Sequence, residues 1–110
     1  MKKITILIAL LIGTNLIADV KSGEQVYNIN CAICHTVNGG SAMGPDFNLV
    51  SYTRKISKIK QYVKDPVSLY KEFGYSANAM PKIVLTKKEI NDVAEYISSL
   101  QPFKKWMIKR

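Results

Sequence analysis

The 110-residue chain is poor in the side chains on which most metal sites and many active sites depend. It has two cysteines, Cys31 and Cys34, and one histidine, His35. At most one internal disulfide can form, which excludes a disulfide-rich scaffold. The alternating apolar pattern of strands is also lacking, as are internal repeats and low-complexity segments. The chain is therefore predicted to be one small all-α domain, of a size that often needs a metal or cofactor for stability.

The only long apolar run lies at the N-terminus. Met1-Lys2-Lys3 supplies positive charge, positions 4–18 carry no charge, and Ala18 offers a small residue before Asp19 for signal peptidase. The run is shorter than the roughly 20 residues that cross a bilayer comfortably. Positions 1–18 are therefore predicted to be a cleaved signal peptide that exports the chain to the periplasm, without stable membrane insertion. An uncleaved N-terminal membrane anchor is the alternative.

Acidic residues are scarce: 8 of them stand against 16 lysines and arginines, for a formal charge of +8 at pH 7. Basic surfaces suit nucleic acid, anionic membranes or acidic proteins. Because the chain is predicted to be exported and its basic residues are scattered, we expect no nucleic-acid partner. We expect instead a docking face for acidic proteins, with a merely solvated basic surface as the alternative.

Helices are predicted where apolar residues recur at helical spacing. Their expected ranges are 22–33, 54–64, 66–73 and 86 to about 101. The first is predicted to begin with a Ser22–Gln25 capping box and the last with a Thr86–Glu89 capping box. Residues 38–46 and 74–81 are rich in glycine or proline and are predicted to be loops, and residues 102–110 form a basic amphipathic tail.

Cys31, Cys34 and His35 form a Cys-x-x-Cys-His motif with three interpretations. A structural zinc site usually needs a second pair of cysteines or histidines, which is lacking. A redox-active thiol pair normally follows a strand at a helix N-terminus, and no strand is predicted here. Covalent haem is the interpretation that we prefer, because two such thiols can add to the two porphyrin vinyl groups while the adjacent imidazole ligates the iron.

The second axial ligand of such a haem is expected to be a methionine. Three methionines are poorly placed for this role. Met1 lies in the leader, Met43 in the loop on the His35 side of the ring, and Met107 in the C-terminal tail. Met80 lies 45 positions after His35, in a loop before Pro81, with helices between them to carry the chain round the ring. We therefore expect His35 and Met80 to ligate the iron, with the Gly44-Pro45 carbonyl region accepting a bond from the other imidazole nitrogen.

These motifs resemble the small bacterial class I cytochromes c over nearly all of positions 19–101. "GEQVYNINCAICH" is similar to the N-terminal helix of that family, "MGPDF" to its Gly-Pro loop, and "AMPKIVLTKKEINDVAEYISSL" to its Met-Pro segment and final helix. The resemblance implies four to five short helices around one covalent haem c. It also implies that the first and last helices cross, with Gly23 and Tyr27 meeting Tyr96, and that the Pro45 carbonyl bonds His35.

The family resemblance implies a monomeric periplasmic carrier of single electrons between respiratory partners. Acidic partners such as a quinol-oxidising complex, a terminal oxidase or a peroxidase are expected. Candidate docking lysines around the haem edge are Lys64, Lys71, Lys82, Lys87 and Lys88. No enzymatic activity is expected, because both axial positions would be filled and the single histidine used. The alternatives are a haem c subunit or membrane-anchored haem domain of a larger oxidoreductase, and a haem peroxidase from which Met80 must dissociate.

Overall fold

The structure, a computed structural model, describes residues 19–100. The predicted signal peptide, the predicted tail and Met107 lie outside these residues. Within them there are five helices and no strand, which confirms the all-α prediction. The helices are α1 (Val20–Asn30), α2 (Phe47–Thr53), α3 (Ile56–Lys64), α4 (Pro66–Leu69) and α5 (Lys87–Ser99). Over this part of the chain, none of them is both long and apolar enough to cross a membrane.

Helix α1 begins earlier than predicted because Asp19 caps it. The Asp19 carboxylate accepts hydrogen bonds from the backbone N–H of Lys21 and from the hydroxyl of Ser22, each at 2.9 Å. Ser22 thus donates to the capping residue and does not itself cap the helix, so the predicted Ser22–Gln25 capping box is wrong. The helix also ends before Ile33, since the chain turns at Cys31.

Helix α2 was not predicted and lies after the predicted loop 38–46. Its N-cap is Asp46, whose carboxylate accepts a 2.9 Å hydrogen bond from the backbone N–H of Asn48. Arg54 is the C-cap of α2 and not the first residue of the next helix as predicted. Helix α4 stops at Leu69, short of the predicted end near Phe73, and the chain continues as turns.

Helix α5 begins as predicted: the Thr86 hydroxyl accepts from the Glu89 backbone N–H, and the Glu89 carboxylate accepts from the Thr86 backbone N–H. Its apolar stripe forms the centre of the core, where Val93, Ala94 and Ile97 are at most 1% exposed. Helices α1, α2 and α3 all pack against it. The core of the domain is therefore organised around the last helix.

The first and last helices cross at Gly23, as the family resemblance implies. A Cβ on Gly23 would lie 1.9 Å from the backbone oxygen of Asp92 and 2.8 Å from the Cβ of Tyr96. One turn further along α1, the ring centroids of Tyr27 and Tyr96 are 5.5 Å apart. Only a residue without a side chain permits this approach, which positions the C-terminal end of α1 and the cysteines that follow it.

Candidate cofactor site

All five residues predicted to form the site line one cleft of about 290 Å³. They come from the turn after α1, the loop before α2 and the segment before α5; they are Cys31, Cys34, His35, Pro45 and Met80. Most of the remaining lining is apolar and includes residues of the central core. The fold thus joins a motif at one end of the chain to a methionine 45 positions after its histidine.

The two cysteines carry free thiols and lie three positions apart, in the turn that follows α1. Cys31 is buried, 7% exposed, and Cys34 is half-buried. Burial, followed by the nearby Cys34, raises the pKa of the Cys31 thiol to about 11. A redox-active thiol pair instead needs a thiol with a lowered pKa, commonly at a helix N-terminus, whereas Cys31 is the C-cap of α1. The geometry is therefore unsuited to thiol–disulfide exchange.

A zinc site has no support in this part of the molecule either. Among residues 19–100 no group of three or more His, Cys, Asp or Glu side chains is placed to hold a metal ion. The side chains that the cleft does bring together are two thiols, one imidazole and two thioethers. This set suits a haem, which needs thiols as covalent anchors and an imidazole or thioether as iron ligands.

His35 is buried and its ring is held by a hydrogen bond to the chain. The Nδ1 atom lies 2.9 Å from the carbonyl oxygen of Pro45, the contact predicted for this pair. Because a carbonyl oxygen can only accept, Nδ1 carries the hydrogen and Nε2 keeps a lone pair for a metal. Burial lowers the pKa of His35, with the Pro45 bond opposing this in part, so the neutral imidazole is favoured.

Three further contacts fix the imidazole and its backbone. The Phe47 ring stacks on the His35 ring with centroids 4.4 Å apart, and the buried Tyr27 hydroxyl donates to the His35 carbonyl oxygen at 3.1 Å. A Cβ on Gly44 would lie only 2.4 Å from Cε1 of His35, so the loop can pass the ring only because this residue is a glycine. The orientation of the imidazole is therefore set by the protein alone.

Asp46 holds the loop that carries these contacts, a role that sequence reasoning missed. Besides capping α2, its carboxylate accepts from the Thr36 hydroxyl at 2.8 Å and from the backbone N–H groups of Gly39 and Gly40, each at 3.0 Å. The signal that could have revealed it is an Asp directly before an apolar residue, which is typical of a helix N-cap.

Asn48, which sequence reasoning also missed, ties the same loop to the end of α5. Its side chain is fully buried; Oδ1 accepts from the backbone N–H of Asn38 at 2.7 Å, and Nδ2 donates to the Leu100 carbonyl oxygen at 2.6 Å. Both partners are backbone groups distant in sequence from Asn48. No local pattern distinguishes such an asparagine from one in a loop.

Two methionines line the cleft. Met80 is half-buried, whereas Met43 is 80% exposed. The cleft therefore offers two thioethers as possible iron ligands, and Met43 is the more exposed of the two.

The cleft also has a cationic side that the sequence analysis did not identify. Its described lining includes Arg54 and Lys58 but no aspartate or glutamate. The Arg54 guanidinium lies 4.7 Å from the centroid of the Phe73 ring and donates a hydrogen bond to the Phe73 carbonyl oxygen. Such an apolar cleft with a fixed guanidinium suits a flat apolar ligand that carries negative charge.

The lysines predicted to surround the site are all exposed, but they differ in their surroundings. Lys88 forms an ion pair with Asp92 at the helix crossing and has no place in the cleft lining. Lys71 lies 5.9 Å from the ring centroid of Tyr70. Lys58, which was not among the predicted lysines, is the one that lines the described cleft.

Comparison with known proteins shows the family of the chain. Residues 20–101 match the family model for cytochrome c. The chain is 33% identical over 97 residues to cytochrome c6 of Thermosynechococcus vestitus, covering 84% of this chain and 82% of that protein. It is 33% identical over 91 residues to cytochrome c6 of Pyropia tenera, covering 81% and 100%. It is 25% identical over 80 residues to cytochrome c-550 of Bacillus subtilis, covering 73% and 58%.

Proposed function

The chain belongs to the cytochrome c family, whose members carry covalently bound haem c, and from this premise we propose an exported electron carrier with iron ligated by His35 and Met80. Cys31 and Cys34 are the proposed thioether anchors. The observation that carries the proposal is the convergence of these four side chains, with Pro45, on one apolar cleft. When bound, the haem supplies a one-electron iron couple.

The residues of the cleft have separate proposed tasks. Pro45 holds the hydrogen on Nδ1 of His35, which leaves Nε2 to ligate the iron. The thioether of Met80 would hold the iron as its second protein ligand and would favour the reduced metal. The apolar lining excludes water, and Arg54 with Lys58 provides positive charge for the carboxylates of a haem. If His35 and Met80 both ligate the iron, no open iron position is left for a substrate, so we propose an electron carrier and not an enzyme.

The two methionines of the cleft allow a matched test of the ligand. We expect Met80→Ala to abolish the near-infrared charge-transfer band of the ferric holoprotein, since that band reports thioether ligation. Met43→Ala should keep the band. Loss of the band in Met43→Ala with its survival in Met80→Ala would assign the ligand to Met43. A pyridine haemochrome spectrum of the wild type tests covalent attachment, and a colourless protein would overturn the proposal.

The proposal includes export and a periplasmic site of action. Residues 1–18 are proposed to be removed as a signal peptide, because they combine a basic start, an uncharged apolar run and a small residue before Asp19. Loss of Lys2 and Lys3 leaves 14 basic against 8 acidic residues, a formal charge of +6. Cell fractionation tests the compartment: recovery with the cytoplasmic fraction would contradict it.

Acidic redox proteins are the proposed partners, namely a quinol-oxidising complex as donor and a terminal oxidase or peroxidase as acceptor. Ile33 and Met43 form an apolar rim, since they are 90% and 80% exposed and line the cleft, and the exposed Lys58 lines the same cleft. Charges of this kind steer a small, short-lived complex. Electron-transfer rates with an acidic partner should therefore fall as salt screens them. Rates that rise or stay constant with salt would contradict docking through the basic surface.

A haem subunit of a larger oxidoreductase is the second candidate function. The observation that favours it is the exposed apolar surface around the cysteines, since Ile29 is 82% exposed in addition to Ile33 and Met43. A permanent partner would cover such a surface. Size-exclusion chromatography of the native protein separates the two functions, because a free carrier migrates as a monomer of the processed chain.

A further inference from the structure

A cluster of charged groups joins helices α1 and α5 outside the cleft. Its centre is Asp92, which is only 2% exposed. One carboxylate oxygen of Asp92 accepts from Nζ of Lys88 at 2.5 Å, and the other accepts from the backbone nitrogen of Asp19 at 2.9 Å. A buried carboxylate needs such donors, because removal from water strongly disfavours its charge.

The backbone nitrogen of Asp19 is held in place by the residues that follow it. The Asp19 carbonyl oxygen accepts from the backbone N–H of Gly23 at 2.9 Å, and its carboxylate accepts from Lys21 and Ser22. The hydrogen bond from Ser22, and then that from Lys21, lowers the pKa of the Asp19 carboxyl, so this group is ionised at neutral pH. These bonds hold Asp19 at the start of α1, with its nitrogen beside Asp92.

The charges of the cluster do not balance while the chain is intact. Among residues 19–100, the carboxylates of Asp19 and Asp92 face one cation, Lys88, whose side chain is 66% exposed. The nitrogen of Asp19 is then a neutral amide. The predicted signal peptidase site is the bond between Ala18 and Asp19, and cleavage there would convert this nitrogen into an α-ammonium group.

We propose that cleavage after Ala18 completes the cluster, because the new α-ammonium of Asp19 forms an ion pair with the buried carboxylate of Asp92. This inference rests on the proposed removal of residues 1–18. Cleavage replaces a neutral hydrogen bond with a charge-assisted one and brings the cluster of two carboxylates and one lysine to neutrality. The pair clamps α1 to α5 beside the Gly23 contact, so export and processing stabilise the crossing on which the cysteine positions depend.

N-terminal sequencing of the processed holoprotein tests the first step. A chain that begins at Asp19 is expected. A chain that begins at any other residue overturns both this inference and the proposed cleavage site, while leaving the proposed electron-carrier site in place. The inference about Asp19 can therefore be overturned while the proposed electron carrier stands.

The ion pair is tested by comparing the acetylated with the unmodified processed holoprotein, in the wild type and in Asp92→Asn. Acetylation is carried out in concentrated urea at a pH of about 6.5, where the α-amine is released from Asp92, and the protein is then refolded. In the unfolded chain α-amines react ahead of lysines, because their ordinary pKa values are about 7.7–8.0 and 10.4. Acetylation of the wild type should lower the folded-to-unfolded ratio in urea roughly fivefold, the difference between a charged and a neutral hydrogen bond. In Asp92→Asn, acetylation should have no effect. Equal effects in both proteins would overturn the ion pair.

A direct titration keeps the inference testable even if Asp92→Asn is poorly folded. The charged groups around the amine are the carboxylates of Asp19 and Asp92 and the ammonium of Lys88, with Lys21 and Glu24 exposed on α1. The carboxylate of Asp92 should raise the pKa of the α-amine above the ordinary range of about 7.7–8.0. Glu24→Gln, which removes an exposed charge from the same helix, should leave this pKa raised. An α-amine that titrates in the ordinary range would refute the proposal.

Discussion

Replacement of Gly23 by alanine tests whether the close crossing of α1 and α5 supports the domain. The new Cβ would lie 1.9 Å from the backbone oxygen of Asp92, where an ordinary contact is at least 3.4 Å. The helices would therefore have to separate by about 1.5 Å. The obstacle is backbone and cannot rotate away as a flexible side chain could.

The cost can be set against the gain in helix propensity. Alanine is favoured over glycine inside a helix by about 1 kcal/mol. A gap of 0.5–1 Å already removes roughly a quarter to a half of a van der Waals contact, and a 1.5 Å gap removes more. The affected residues include Val93 and Ala94, which are fully buried, and the Tyr27–Tyr96 ring pair. We expect a net loss of about 3 kcal/mol, a large part of the 5–15 kcal/mol typical of a domain.

Urea unfolding followed by far-ultraviolet circular dichroism measures this loss. For a domain of this size a loss of about 3 kcal/mol corresponds to a fall in Tm of roughly 15 °C. Glu24→Ala, an exposed substitution at the next position of α1, is the matched control and should change stability by less than about 0.5 kcal/mol. If Gly23→Ala were as stable as this control, the helices could not approach as closely as described.

Four further substitutions test the supports of the site. Asn48→Ala should cost about 3 kcal/mol in urea unfolding, since it leaves one N–H and one carbonyl group without their buried partner; a loss below about 1 kcal/mol would contradict this. Asp46→Ala should cost about 2 kcal/mol through the cap and loop bonds, and wild-type stability would refute that role. Thr86→Ala should cost about 1 kcal/mol, and Thr86→Ser should restore it; equal stability of the two variants would exclude a capping effect. Arg54→Gln should lower the reduction potential of the holoprotein, because a nearby cation favours the reduced iron, and Lys58→Gln is the control with the more exposed cation; an unchanged potential in Arg54→Gln would refute its proposed role.

Features that depend on neighbours in sequence were predicted well. The Cys-x-x-Cys-His motif spans only five positions, from Cys31 to His35. Its two thiols and one imidazole therefore lie close together in any turn. The Thr86–Glu89 capping box is equally local, since both hydrogen bonds join residues three apart. The apolar stripe of α5 follows from helical spacing alone, and in the structure it forms the centre of the core.

Several features that depend on distant partners were not predicted. Asp19, and not Ser22, caps α1, and its nitrogen is bonded to Asp92 from the last helix. The short helix α2 is stabilised by Asp46 and Asn48, whose partners lie in the preceding loop and at Leu100. A seven-residue helix has little stability by itself, so its existence depends on those contacts.

The sequence by itself determined that the protein is helical, belongs to the cytochrome c family and carries a local thiol and imidazole motif, because these follow from short-range spacing and residue type. Only the tertiary structure decided that Met80 and Arg54 share a cleft with His35, and that one hydrogen bond to Pro45 leaves Nε2 of the histidine free. The physical reason is that chain crossing, burial and backbone hydrogen bonds join residues from separate segments, and no local pattern encodes which segments will meet.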